Sequence, residues 1–235
     1  MTPAGMGGFF HDLEERLGIL YLPVTKWVMY ICTAVFFAIL FVPGDLLFRL
    51  LGASPDTTLY RFQLWQLITY AFMHGGFGHL FFNLFTFWMF GRRLEYRWGS
   101  QVYARFCTLA AIAAVGTHLA AMVLVGTPQA TIVGLSGVCY AILFAYAYYY
   151  RDDVVLLYFI IPMKVKYFVA ILGVLTLFSS FQVAGSSTVA HLTHLGGLVF
   201  GILFVRFPGL FDWFRLPPLP GRRKTKPGPR RFGDK

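Results

Sequence analysis

The chain has 235 residues, 57% of them hydrophobic and only 13% charged, where roughly a quarter are charged in ordinary soluble domains. A soluble core of this length cannot hide so much apolar surface, whereas repeated apolar runs need no hiding in a bilayer. The formal charge of +10 sits between and after those runs, which fits a membrane protein and argues against a nucleic-acid binder.

In chain order, residues 1–23 carry Asp12, Glu14 and Glu15 and lack a basic stretch followed by a short apolar core and a small-residue cleavage site. A short cytoplasmic segment without a cleaved signal peptide is expected. Apolar runs then occur at about 24–42, 77–91, 101–125, 132–150, 165–182 and 188–207, bounded by Pro, Gly or charged residues. They predict an all-α membrane protein of six transmembrane helices, the second and fifth being short of the ~20 residues that a perpendicular crossing needs. Cys32, Cys107 and Cys139 all fall inside runs, without disulfide or metal-ligand spacing.

Between the first two runs, residues 43–76 are too apolar for a plain solvent loop and too broken to span. Leu64, Trp65, Leu67, Ile68 and Phe72 suggest a segment lying in the membrane interface. An even number of spans puts both termini on one side. Eighteen of the twenty Lys and Arg then fall on or near that side, leaving Arg49 and Arg61 opposite. By the positive-inside rule both termini are cytoplasmic and the protein is expected in the inner (plasma) membrane. Residues 208–235, rich in Pro, Gly, Arg and Lys, read as a disordered basic tail drawn to anionic lipid.

Strongly polar side chains inside such spans are costly, so each is a candidate for function. Near the outer ends of three spans sit His79 and Asn83, Ser136, and His191 and His194. At 1.5 Å per residue Ser136 and His194 both fall about 6–10 Å below the outer surface, so they can meet. Ser136 lies in Gly134-Leu135-Ser136-Gly137; flanking glycines allow close backbone approach and free amides to face a substrate oxygen. Alone, that motif is a weak signal and reads more readily as a small residue at a helix interface. His194 changes the balance. Gly197 and Gly201 follow it at i+3 and i+7, forming a GxxxG face that carries the imidazole on the closely packed side, as general-base activation of a serine requires. His191 also fits a structural role.

Tyr140, four residues after Ser136, shares its face one turn deeper and suits packing on His194, though an ordinary core aromatic fits the position too. His79 and Asn83, at i and i+4, offer donors for an oxyanion, and equally an interhelical polar clamp. None of the ten acids lies in the fourth, fifth or sixth run, so a Ser-His dyad is expected rather than a triad. No H-E-x-x-H motif is present, and neither metal nor other cofactor is expected.

The set Gly134-x-Ser136-Gly137, His194-x-x-Gly197-x-x-x-Gly201 and His79-x-x-x-Asn83 resembles the compact bacterial rhomboid proteases over about 24–207. The resemblance implies a six-helix rhomboid-like bundle with a long interfacial first loop. It also implies Ser136 as nucleophile, His194 as base, and Tyr140 packed on that histidine. His79, Asn83 and the Ser136 amide match the oxyanion site, and transmembrane proteins would be the substrates. Gly91-x-x-x-Glu95 is similar to a structural motif of the family, and His74 matches a structural histidine. The first loop departs from it: a Trp-Arg pair common in the family reads Trp65-Gln66 here, which puts loop anchoring in question. Two other functions fit the sequence less well than proteolysis. A catalytically silent rhomboid-like binding protein gives no reason to keep a matched Ser136 and His194, and a small transporter should show an internal repeat, which the two halves lack.

Overall fold

The computed structural model describes residues 6–42, 45–157, 160–180, 186–207 and 209–211. Helix α1 (Met6–Leu17) leads into α2 (Pro23–Phe41), whose first turn opens on a proline with no amide hydrogen to leave unpaired. Residues 45–76 hold short pieces only: α3 (Leu46–Leu51), a π-turn over Pro55–Tyr60, α4 (Gln66–Thr69) and a 3-10 turn over Tyr70–Phe72. Next, α5 (Phe77–Thr86) passes through a π-helical turn, Phe87–Gly91, directly into α6 (Arg92–Trp98). Helices α7 (Ser100–Val125) and α8 (Ser136–Tyr149) follow. An antiparallel hairpin of β1 (Val154–Leu157) and β2 (Ile161–Lys164), with Val154 opposite Lys164, then precedes α9 (Val165–Ser180) and α10 (Ser186–Arg206).

Each of the six apolar runs thus contains a helix. By length and composition α2 and α7 are long enough to cross a bilayer, while the apolar parts of α8, α9 and α10 are shorter. The fourth run is the one whose helix starts latest. Its first residues are extended because Ile132 exchanges both backbone hydrogen bonds with Ala53, and the Gly134 amide donates to the Tyr70 carbonyl at 2.9 Å. Helix α8 therefore begins at Ser136 itself.

Helix α10 is the centre of the bundle, and its glycines explain why. A Cβ on Gly197 would overlap the Gly137 carbonyl of α8, and one on Gly201 would fall 2.7 Å from the Ala141 oxygen. A Cβ on Gly196 would strike Thr117 of α7. Only residues without side chains permit backbones this close, and dispersion contacts across such faces hold helices together where lipid supplies no hydrophobic drive. At the end remote from Ser136, the contact is aromatic. Phe204 of α10 packs on Phe106 (4.8 Å between ring centroids) and on Phe211, while Trp98 packs on Phe106. Of the expected basic tail, residues 209–211 are described; 208 and 212–235 lie outside the described residues.

Outward faces are apolar. Phe37, Phe41, Phe82, Val174 and Phe178 are all exposed, an arrangement that would drive a soluble protein to aggregate and that suits a lipid surround. Two buried polar side chains instead tie segments together from inside. Glu95, 1% exposed, accepts hydrogen bonds from the Val24 and Thr25 amides, the Thr25 hydroxyl and the Ser100 hydroxyl. One carboxylate thereby satisfies free amides at the start of α2 and ties them to the start of α7. Gln66, fully buried, does the same for the segment 45–76. Its Oε1 accepts from Thr57 and Thr58, each at 2.7 Å, and its Nε2 donates to the Arg49 carbonyl and to Gln63 Oε1, each at 2.8 Å. The Trp65-Gln66 pair thus anchors the segment from within through the neutral Gln66 amide, and Trp65 donates to the Leu50 carbonyl.

Candidate active site

Because α8 starts at Ser136, the amides of Ser136, Gly137 and Val138 precede the first helical bond, Cys139 N–H to Leu135 O. These amides have no acceptor within the helix and form its partially positive end, a natural place for developing negative charge. The turn before them needs Gly134. Its φ is +122°, a region that side chains disfavour, and a Cβ there would lie 2.7 Å from the His79 ring.

His194 sits on the ninth residue of α10, about 12 Å along the helix from its start. The contacts of Gly197 with Gly137 and of Gly201 with Ala141 set α10 so close to α8 that the His194 Nε2 is 2.7 Å from the Ser136 Oγ. The other ring nitrogen, Nδ1, is buried without a hydrogen-bond partner among the described residues. A third helix joins at Tyr140. Its ring lies flat on that of His194, and its hydroxyl is 2.9 Å from Thr176 Oγ1 of α9.

The other polar residues singled out in the sequence divide. His79 is exposed and stands against Gly134, on the same side as the Ser136 hydroxyl. Asn83 is buried and its amide donates to the His79 carbonyl of its own helix at 2.8 Å. His74, 1% exposed, lies edge-on to His79 and accepts from the Leu135 amide at a long 3.5 Å. His191 lies edge-on to His194, ring centroids 6.1 Å apart. Thr176 was not singled out, although a hydroxyl inside the fifth apolar run carries the same signal as the histidines. Metal-binding donor atoms converge, among the described residues, at exposed His11, Asp12 and Glu15 of α1, not at Ser136.

Chemically, a hydroxyl at hydrogen-bond distance from an imidazole, beside free helix-end amides, can serve as a nucleophile, base and oxyanion-donor set. The family model described as the rhomboid domain matches residues 61–208. The chain belongs to the rhomboid family. As such it is an integral membrane protein. It is 31% identical over 196 residues to the rhomboid protease GlpG of Serratia proteamaculans, and 29% identical over 196 residues to that of Yersinia pestis. Each match covers 83% of this chain and 64% of the relative, so this rhomboid chain spans just under two thirds of the length of those relatives. The rhomboid protease GlpG of Salmonella choleraesuis is 33% identical over 135 residues, 57% of this chain and 45% of its own.

Proposed function

We propose that this rhomboid chain is an intramembrane serine endopeptidase that cleaves peptide bonds in or near transmembrane segments of other membrane proteins, working through a Ser136-His194 dyad. The observation that carries the reading is the 2.7 Å separation of His194 Nε2 and Ser136 Oγ, with no carboxylate at Nδ1 among the described residues.

The chemistry follows from the tautomer with its proton on Nδ1. The Ser136 hydroxyl donates to Nε2, and as Oγ bonds to the scissile carbonyl carbon its proton passes to Nε2. The carbonyl oxygen becomes an oxyanion, received by the Ser136 and neighbouring amides together with His79 and Asn83. For Asn83 this requires its amide to turn from the His79 carbonyl toward Ser136. Collapse of the tetrahedral species breaks the C–N bond, and imidazolium returns the proton to the leaving amine. Water, deprotonated by the same imidazole, then hydrolyses the acyl-enzyme. Tyr140 acts as a positioning residue, with Gly134, Gly197 and Gly201 as the backbone that allows the approach.

In the same reading the domain covers 24–207, and α2, the run of α5 into α6, α7, α8, α9 and α10 cross the inner membrane with both termini cytoplasmic. The bias of basic residues supports that orientation. The segment 45–76 lies in the outer interface and 208–235 is a cytoplasmic tail. No cofactor takes part.

The test is detergent-purified protein with a fluorophosphonate probe and a model transmembrane substrate. Wild type should label and cleave; Ser136→Ala and His194→Ala should do neither while unfolding at the wild-type temperature. Cleavage that survives Ser136→Ala overturns the proposal, and a folded wild type inert to both reagents favours a silent binding protein.

A further inference from the structure

A cleft of about 1140 Å³ opens between α8, α9 and α10, reaching from Leu177 and Leu195 near the Tyr140-His194 stack to the opposite ends of these helices. Its end remote from Ser136 is ringed by Arg97, Arg151, Lys166 and Arg206, and no acidic residue lines it among the described residues. Among the described residues, carboxylates do not neutralise this ring. Asp152 is the one acid shared by Lys166 (2.8 Å), Lys164 (3.5 Å) and Arg151 (3.9 Å), leaving that group with net positive charge. Arg97 lies over the Tyr149 ring, and neither it nor Arg206 has a carboxylate at ion-pair distance among the described residues.

From that ring the cleft runs along apolar wall. On α9 it extends from Lys166 to Leu177, about 16 Å at 1.5 Å per residue. That length is about half of a ~30 Å hydrocarbon core, the depth of one leaflet. Phe144, Leu195 and Leu198 line the inside, and Val174, 64% exposed, stands at the open edge toward lipid.

We propose that this cleft binds an anionic phospholipid, with the phosphate among Arg97, Arg151, Lys166 and Arg206 and one acyl chain along α9 and α10. The match is of charge and length together. Guanidinium and ammonium groups at the end of a bilayer-embedded apolar slot are positioned as a headgroup site. A zwitterionic lipid would bring its own cation into surplus positive charge. The inference needs the chain to lie in a bilayer but not to be a protease, so it stands or falls separately from the catalytic reading.

Native mass spectrometry of the full detergent-purified chain, titrated with dioleoyl phosphatidylglycerol or dioleoyl phosphatidylcholine, tests it. The anionic lipid should bind at about tenfold lower concentration than the zwitterionic one. Arg97→Gln with Arg206→Gln should abolish that preference, whereas Arg97→Lys with Arg206→Lys should keep most of it, which separates charge from folding. Val174→Trp, at the exposed edge, should weaken both lipids by narrowing the slot. Equal binding of the two lipids, or an undiminished preference in the double glutamine variant, overturns the proposal. So does competition by glycerol phosphate alone at the lipid's own concentration, which would mark a phosphate site without a chain.

Discussion

The imidazole of His194 lies against the phenol of Tyr140 with ring centroids 4.6 Å apart and planes 8° apart, and the same phenol reaches Thr176 with its hydroxyl. Three helices therefore fix the orientation of a ring whose Nδ1 is held by no carboxylate among the described residues. Stacking restricts the tilt of the imidazole, and the Thr176 contact restricts the position of the phenol. If the stack is what aims Nε2 at Ser136, Tyr140→Phe should leave kcat within about threefold of wild type, losing one hydrogen bond worth about 1 kcal/mol of stability. Tyr140→Ala should lower kcat by about 100-fold with little change in KM, the cost of a misplaced base. Steady-state cleavage of a transmembrane substrate reads both, and equal activity of the two variants sinks the positioning role.

Gly197 and Gly201 give a second prediction, because their neighbours are backbone and cannot step aside. Gly197→Ala forces a methyl into the Gly137 carbonyl and must spread α8 from α10. A loss of about 3 kcal/mol is expected, at the upper end for overpacking, together with slower fluorophosphonate labelling as the Ser136-His194 distance grows. Gly116 of α7 is the contrast. A Cβ there meets nothing within 4 Å, so Gly116→Ala should raise stability by up to about 1 kcal/mol through helix propensity. Thermal unfolding in detergent separates the two.

Most of the candidate site was legible because its parts follow helical spacing. Ser136 to Tyr140 and His194 to Gly197 and Gly201 are local intervals that put named groups on one face, and apolar runs located the helices that carry them. What stayed hidden depends on partners distant in the chain. Residues 132–135 look like the start of a helix, yet Ala53 and Tyr70 claim their backbone groups and move the helix start to Ser136. The substitution at Gln66 read as a lost anchor because its partners, Thr57, Thr58 and the Arg49 carbonyl, converge through the turns of an irregular segment with no period to follow. Asn83 carried two acceptable roles in the sequence, and its amide is turned to its own helix. The short hairpin at 154–164 escaped for a related reason: its pairing is across strands, and its apolar residues look like the edge of a span.

The buried hub at Gln66 makes a third prediction. Gln66→Leu removes an acceptor from two hydroxyls and a donor from a carbonyl while adding no polar replacement, so several buried groups lose partners at once. About 2 kcal/mol of destabilisation is expected, concentrated in residues 45–76 rather than spread over the bundle. Limited proteolysis should cut this segment faster in the variant while the rest of the protein keeps its wild-type protection. Unchanged cleavage would mean that the hydrogen bonds about Gln66 do not hold the segment.

Glu95 supports a prediction of the opposite kind, in which stability falls and chemistry does not. Its Oε1 faces the Val24 amide and the Ser100 hydroxyl, and its Oε2 faces the Thr25 amide and hydroxyl. A carboxylate accepts at both oxygens, whereas Glu95→Gln must turn an NH2 toward one of the two pairs. Either orientation is bad. The hydroxyl in the pair can rotate to accept, but the backbone amide cannot, so a buried N–H is left against another donor at the first turn of α2. A loss of about 2 to 3 kcal/mol is expected in thermal unfolding, since the lost bonds are to a charged group. Glu95 lies sixteen residues beyond His79 along the same helical run, about 24 Å at helical rise, and touches no group of the Ser136 site. Molecules that remain folded below the lowered transition should therefore label with fluorophosphonate at the wild-type rate. Ser136→Ala should show the reverse pattern, full stability and no labelling. Slowed labelling in folded Glu95→Gln would show instead that the start of α2 is coupled to the far end of the bundle.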